Sequence, residues 1–302
     1  MLSISTAWND KSQGDIRRML LELKETGLAT IELGYRLAVP EVAQIIPLLP
    51  ELGLKVSSLH NFSPFPNDAP SPRHVSNHYR LSAIDEPERR AAVHWTKNTI
   101  DMAVKVKAKV VVIHAGAVDG LEDISQQLFE LYKNGKKDAA EFPETRAKLL
   151  RSRREKRGPY LESVAKSLHE VMPYAQAKGV VIGLETRYYP VEIPNFEEIG
   201  ELLERFAKQG MRYWHDVGHG EVNSRLGITP HQAYFKQYQD KLVGFHLHGI
   251  RVLRDHIAPF DGDFDLKAIY PYIKKEHIKV IESGPTATLE QIQSAVKLLS
   301  VL

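Results

Sequence analysis

The chain has 302 residues, 43% of them hydrophobic and 26% charged, a composition that supports a sizeable core and argues against wholesale disorder. It contains no cysteine, which excludes disulfides, thiolate catalysis, iron–sulfur clusters and cysteine zinc sites, so any metal must be held by oxygen and imidazole. The formal net charge of +2 is unevenly spread: residues 133–157 carry ten Lys or Arg against four Asp or Glu, and the remainder of the chain is net acidic.

Eight short apolar runs bounded by turn residues recur along the chain: LSIST (2–6), ATIELG (29–34), LKVSSLH (54–60), KVVVIHAG (109–116), VVIGLETR (180–187), MRYWHDVGHG (211–220), LVGFHLHG (242–249) and IKVIESG (278–284). Helical periodicity fills the gaps, as in Leu161, Val164, Ala165, Leu168, Val171, Met172 and Ala175, or Leu289, Ile292, Val296 and Leu299. Strict strand–helix alternation implies a parallel sheet with right-handed crossovers. Eight such units favour closure, and no G-x-G-x-x-G follows the first strand. The expected fold is therefore an α/β (β/α)8 TIM barrel, with residues 1–302 as a single domain.

Two connections are too long to be scaffolding alone. Residues 61–85 follow the third strand and residues 117–157, largely helical, follow the fourth. Both leave from strand C-terminal ends, where a barrel keeps its active site, so lid or substrate-binding roles are expected. The basic segment 133–157 reads as a solvated helical insertion, with a phosphate or nucleic-acid patch as the alternative. No run approaches the ~20 apolar residues that cross a bilayer, and MLSISTAWND has no basic region ahead of an apolar stretch, so no membrane partner and a cytoplasmic location are expected.

The ionisable residues gather at one end of the strands. His60 ends VSSLH, His114 ends VVVIH, Glu185 ends VVIGLE, Asp216 ends RYWHD, His246 and His248 end GFHLH, and Glu282 ends KVIE. Residues two apart on a strand share a face. If Ile113, Leu184, Phe245, Leu247 and Ile281 pack outward, this set points into the barrel mouth. Desolvated carboxylates crowded there would repel one another and raise each other's pKa values, a conflict that a divalent ion removes. Mixed carboxylate and imidazole ligation suits Zn²⁺, Mn²⁺ or Co²⁺, with Mg²⁺ a weaker fit.

Taken together, IELG, VVIHAG, GLETR, HDVGHG, GFHLHG followed by DHIAPFDGDFD, and VIESG resemble the xylose isomerase-like TIM barrel superfamily. That superfamily includes sugar and sugar-phosphate isomerases, ketose 3-epimerases, hydroxypyruvate isomerase and the endonuclease IV apurinic nucleases. The resemblance implies a metal site of Glu185, Asp216, His246 and Glu282, with Glu185 and Glu282 also catalytic. It makes His219, on a tight Gly-containing turn, a substrate contact or a ligand of a second metal. It places His60 and His114 as pocket residues in the isomerase branch and as metal ligands in the nuclease branch, and makes His248 a support rather than a ligand. His256 resembles the histidine of a nuclease Asp-x-His pair, yet Arg254 stands two residues before it and Asp255 is adjacent. Gly249 departs from the Asp that usually follows H-x-H. Glu32 reads as a mouth acid or as a structural partner for a Lys or Arg. Arg187, Arg251 and Arg254 lie just above the ligand level, where they could hold a phosphate or carboxylate, or form exposed ion pairs.

Two activities follow from the resemblance. The first is a metal-dependent aldose–ketose isomerase or ketose epimerase, in which Glu185 and Glu282 move a proton through an enediolate of a small sugar-like substrate. A hydride shift would call for a catalytic Lys, and the strand ends offer none. The second is a multinuclear zinc phosphodiesterase acting on nucleic acid, motivated by His60, His114, His219, His256 and the basic segment. Either is compatible with a homo-oligomer.

Overall fold

The strand-forming runs rich in Val and Ile are buried on both faces, as a parallel sheet covered by helices requires. In the computed structural model, which describes residues 1–12, 14–69 and 78–302, all eight runs become strands: β1 (Leu2–Ser5), β2 (Thr30–Leu33), β3 (Lys55–His60), β4 (Val110–Ile113), β5 (Val181–Glu185), β6 (Met211–Asp216), β7 (Leu242–Leu247) and β8 (Ile278–Ile281). They close into a parallel barrel in sequence order, with β8 paired to β1. Each ladder stops near the mouth, so His114, His248 and Glu282 stand just past their strands.

Helices cover the outside: α1 (Ile16–Glu25), α2 (Val39–Leu52), α3 (Glu86–Lys105), α4 (Glu122–Lys133), α5 (Glu141–Ala177), α6 (Phe196–Phe206), α7 (Val217–Arg225), α8 (His231–Tyr238) and α9 (Leu289–Leu299). The pleat sorts the side chains. Ile113, Leu184, Phe245, Leu247 and Ile281 face outward into the core shared with the helices. Val110, Val112, Trp214 and Val280 form a separate cluster inside the barrel. Trp214 fits there because its neighbours across the ladder lack side chains: a Cβ on Gly244 would overlap its ring, and one on Gly183 would lie 3.3 Å from it. The indole lies beneath His246, ring centroids 5.1 Å apart, and so floors the mouth.

The basic segment is part of the scaffold. α5 runs unbroken for 37 residues through Gly158 and Pro159, so the insertion is an N-terminal extension of a barrel helix. Proline inside a helix removes one backbone hydrogen bond and crowds the preceding turn. Side-chain ties flank the defect: buried Arg153 forks onto Glu198 at 2.7 and 2.8 Å, Arg157 reaches Glu201 at 3.1 Å, and Lys156 donates to the Gly120 carbonyl. Part of the positive charge is thus consumed within the fold. Of the connection at 61–85, residues 70–77 lie outside the described residues, while Phe62 and Phe65 are buried and Trp95 Nε1 donates to Asp68 at 2.9 Å. Among the described residues no helix is long and apolar enough to cross a membrane.

Gly244→Ala is expected to destabilise the barrel by about 1–3 kcal/mol through overpacking against Trp214. Trp214→Phe in the same chain should recover part of that loss. Equilibrium denaturation of the single and double variants measures both, and an additive pair would show that the two residues are not in conflict.

Candidate metal centre

Four side chains from consecutive strands converge at the centre of the mouth. Glu185, Asp216, His246 and Glu282 are buried, and one ligand atom of each lies within 4.8 Å of the others. His246 Nδ1 faces Glu185 Oε1 at 2.7 Å, Glu282 Oε2 at 3.0 Å and Asp216 Oδ2 at 3.7 Å. Its Nε2 points down the barrel to Glu32, 3.2 Å from Oε1, and Ser58 Oγ donates to the same carboxylate at 2.7 Å. Glu32 therefore partners His246 and Ser58, not a Lys or Arg. A carboxylate behind an imidazole fixes its orientation and raises the basicity of the outward nitrogen.

Two further groups flank this one. His60, His114 and Glu185 form a group on one side, and Asp216, His219 and His256 form one on the other, so Glu185 and Asp216 are each shared. In His219 and His256 the Nδ1–H is committed to a main-chain carbonyl, of Thr186 and Glu282 respectively, at 2.8 Å. His60 Nδ1 lies 3.1 Å from the Asn61 carbonyl. Each of these rings thereby turns Nε2 toward the cluster. His114 Nε2 is 2.6 Å from Glu185 Oε2, and its buried Nδ1 has no hydrogen-bond partner. Burial, followed by the Arg187 charge, pushes its pKa down to about 3.

The electrostatics differ from the expected crowd of raised carboxylic acids. Burial does push Glu185 upward, but His114, His246 and His60 outweigh it and hold the carboxyl well below the usual range. For Asp216 burial is likewise overcome by His219 and His248. Burial of His246 is overcome by Glu282, Glu32 and Glu185, which lift it well above the ordinary imidazole value. His219 rises to about 9, with burial opposed mainly by Asp216 and Asp255. The imidazoles and Arg187 neutralise the acids that a cation would otherwise have to separate.

The remaining expectations sort by position. HDVGHG is the start of α7 rather than a tight turn, and Asp216 caps that helix by accepting from the His219 amide at 2.8 Å. Gly218 is there because a Cβ would overlap the His248 ring. His248 supports Asp216, with Nε2 3.1 Å from its carboxylate and Nδ1 accepting from the His256 amide at 3.1 Å. Gly249 cannot carry the usual Asp, since a Cβ would strike the carbonyls of Ala258 and Asp261. Asp255 supplies a nearby acid instead, 3.5 Å from His219 Nε2 and 3.6 Å from His256 Nε2. Arg187 forms no exposed ion pair: it is buried, bonding Glu185 at 2.9 Å and Glu192 at 2.7 Å. Arg251 and Arg254 are exposed on the hairpin of Gly249–Arg251 and Arg254–Ile257, outside the three groups. The roles of Asp255 and Glu192 went unread because neither lies on a barrel strand.

The donor set fits a divalent ion: buried carboxylates facing imidazoles whose far nitrogens are already bonded, and a buried His114 Nδ1 with no hydrogen-bond partner, are what such a centre requires.

Comparison with known proteins places this geometry in context. An uncharacterized protein of Sinorhizobium fredii, y4fM, is 24% identical over 277 residues, covering 87% of this chain and 77% of its own. A putative xylose isomerase from Rhodospirillum rubrum superposes with a TM-score of 0.70 at 14% identity, covering 99% of this chain and 98% of the other. The 3-keto-D-glucoside 4-epimerase of E. coli gives 0.67 at 14% identity, with 100% and 99% covered. A D-tagatose 3-epimerase-like protein gives 0.66 at 14% identity, with 99% and 96% covered. These likenesses establish the fold. The sequence model of the xylose isomerase-like TIM barrel matches from residue 20, in α1, to residue 297, in α9, and this chain belongs to that family.

Proposed function

We propose that the protein is a divalent-metal-dependent isomerase or epimerase of a sugar or sugar phosphate, working by proton transfer. The observation that carries this reading is the central group of Glu185, Asp216, His246 and Glu282, in which two carboxylates stand on different walls of the mouth. It is supported by the structural neighbours, a 3-keto-D-glucoside 4-epimerase, a D-tagatose 3-epimerase-like protein and a putative xylose isomerase. A divalent ion held by these four residues supplies positive charge that stabilises an anion developing on adjacent substrate oxygens.

The chain's own groups do the rest. Glu185 and Glu282 are both held ionised, the latter down to about 2 because His246 and His256 outweigh its burial, so each is an acceptor for a carbon-bound proton. Arg187, His114 and His60 anchor Glu185. Glu282 has fewer partners, with His246 at 3.0 Å, and is the freer of the two to change protonation. The strand ends that carry these acids offer no lysine in the sequence, which favours proton transfer over a hydride shift.

A second reading rests on the flanking groups. Three sets that share Glu185 and Asp216 could hold more than one ion, and Asp255 beside His219 and His256 removes the objection raised by Arg254. That arrangement suits a multinuclear phosphodiesterase. Against it, Arg153, Lys156 and Arg157 of the basic segment are engaged within the fold.

Metal counting on the purified chain separates the two: one ion per chain supports the isomerase, two or three the phosphodiesterase. Metal-loaded protein incubated with a panel of ketoses in D₂O is expected to place deuterium on carbon next to the carbonyl, detected by NMR. Absence of exchange on every ketose, together with cleavage of duplex at an abasic site, would reverse the ranking. Glu282→Gln should lower the exchange rate by about 10²–10⁴-fold while leaving the circular dichroism spectrum unchanged. Unaltered exchange would remove Glu282 from the mechanism.

Chelation should lower the melting temperature, and Zn²⁺, Mn²⁺ or Co²⁺ should restore it, since an ion bound only by the native state stabilises by mass action. An unchanged melting curve after verified metal removal would argue against the centre.

A further inference from the structure

Behind the mouth, on the helix-facing side of β6, lies a buried run of hydrogen bonds that the proposed chemistry does not use. The pleat that turns Trp214 and Asp216 into the barrel turns Tyr213 and His215 outward, and both are fully buried. Glu221 Oε2, on α7, faces Nδ1 of His231, the first residue of α8, at 3.1 Å. His231 Nε2 lies 3.0 Å from His215 Nε2, His215 Nδ1 lies 2.6 Å from the Tyr213 hydroxyl, and that hydroxyl lies 2.6 Å from Thr186 Oγ1. Thr186 sits one residue past β5, and its carbonyl accepts from His219 Nδ1–H at 2.8 Å.

The run has a direction. Glu221 is also bonded by Arg225 at 2.8 Å, and a carboxylate paired with a guanidinium only accepts, so His231 Nδ1 is a donor. With one proton on each ring, the other bonds follow: His215 Nε2–H donates to His231 Nε2, the Tyr213 hydroxyl to His215 Nδ1, and Thr186 Oγ1–H to the Tyr213 oxygen. A buried run satisfied at every member locks the tautomers of both imidazoles and the rotamers between them. The two rings also lie under the turn of α7 that carries His219. A Cβ on Gly220 would stand 2.8 Å from His215 Cε1 and 2.9 Å from His231 Nε2, so glycine there lets the helix settle onto the pair. His219 is thereby fixed twice, through the Thr186 carbonyl at its ring and through its own helix turn, which Glu221 anchors on His231. We infer that His231 and Glu221 are positioning residues for His219, acting through the directed run of His215, Tyr213 and Thr186 and through the seat of α7. The inference rests on His219 working at the mouth, in either reading of the function.

Nuclear magnetic resonance of the full chain with isotope-labelled histidine tests it. In the wild type at neutral pH, His231 is expected to carry its proton on Nδ1 and His215 on Nε2; any other order would overturn the inference. His231 stacks on Phe235 and Phe264, so His231→Phe keeps the packing and removes both bonds. His231→Gln instead offers an amide N–H to Glu221 and a carbonyl to His215. In His231→Phe the His219 Nδ1 proton should exchange with solvent faster than in the wild type. Deuterium exchange on a ketose should fall by about 10–100-fold, the usual cost of losing an orienting partner behind a metal site. His231→Gln should recover most of both, a rescue that a role in packing alone would not give. Unchanged exchange of the His219 proton in a folded His231→Phe, or no recovery by His231→Gln, would overturn the inference. If His231→Phe does not fold, the proton order of the wild type still decides. Failure of the wild type to act on any ketose counts against the isomerase reading alone, because the proton readouts do not depend on turnover.

Discussion

His246 is gripped from two sides by carboxylates, and the rest of the mouth is arranged around that grip. Glu32 holds Nε2 from below, within the barrel, while Glu185 and Glu282 face Nδ1 from above. Both contacts are fully buried, where an unpaired charge would be very costly. Trp214 beneath the ring, accommodated by Gly183 and Gly244, keeps water from the floor and fixes the height of the imidazole. A change at Glu32 or Trp214 would therefore act on the central group through His246.

The same economy extends sideways. Glu185 belongs to the central group and to that of His60 and His114, and Asp216 belongs to the central group and to that of His219 and His256. Sharing lets a few acids organise many imidazoles, and His114, His246 and His60 hold Glu185 ionised against its burial while Arg187 bonds the same carboxylate. Arg187 is in turn tied through Glu192 to α5, since Arg153 donates to the Glu192 carbonyl, so the mouth and the basic insertion are parts of one polar network.

That insertion shows how a local signal can mislead. Ten basic residues suggest a solvated face, yet α5 continues through Gly158 and Pro159 and several of its cations are ion-paired or bonded to a main-chain carbonyl. Helix propensity is a weak prior when Arg153 and Glu198 form a buried fork that secures the helix against α6.

Residue order alone determined the barrel and the ionisable set that lines its mouth, because both rest on short periods. Strand–helix alternation counts the units, and two-residue alternation assigns Glu185, His246 and Glu282 to the inner face. Glu32 stood on a strand too, but its partner lies 214 residues away, and no local pattern names it. Asp255, Glu192 and the inward turn of Arg187 depend on loops whose paths are set by packing and by backbone carbonyls rather than by periodicity. Tertiary structure decided which nitrogen of each histidine faces the cluster, and whether the buried acids are raised or lowered. Both depend on which charges closure of the barrel brings within a few ångströms, and Coulomb interactions follow distance in space rather than distance along the chain.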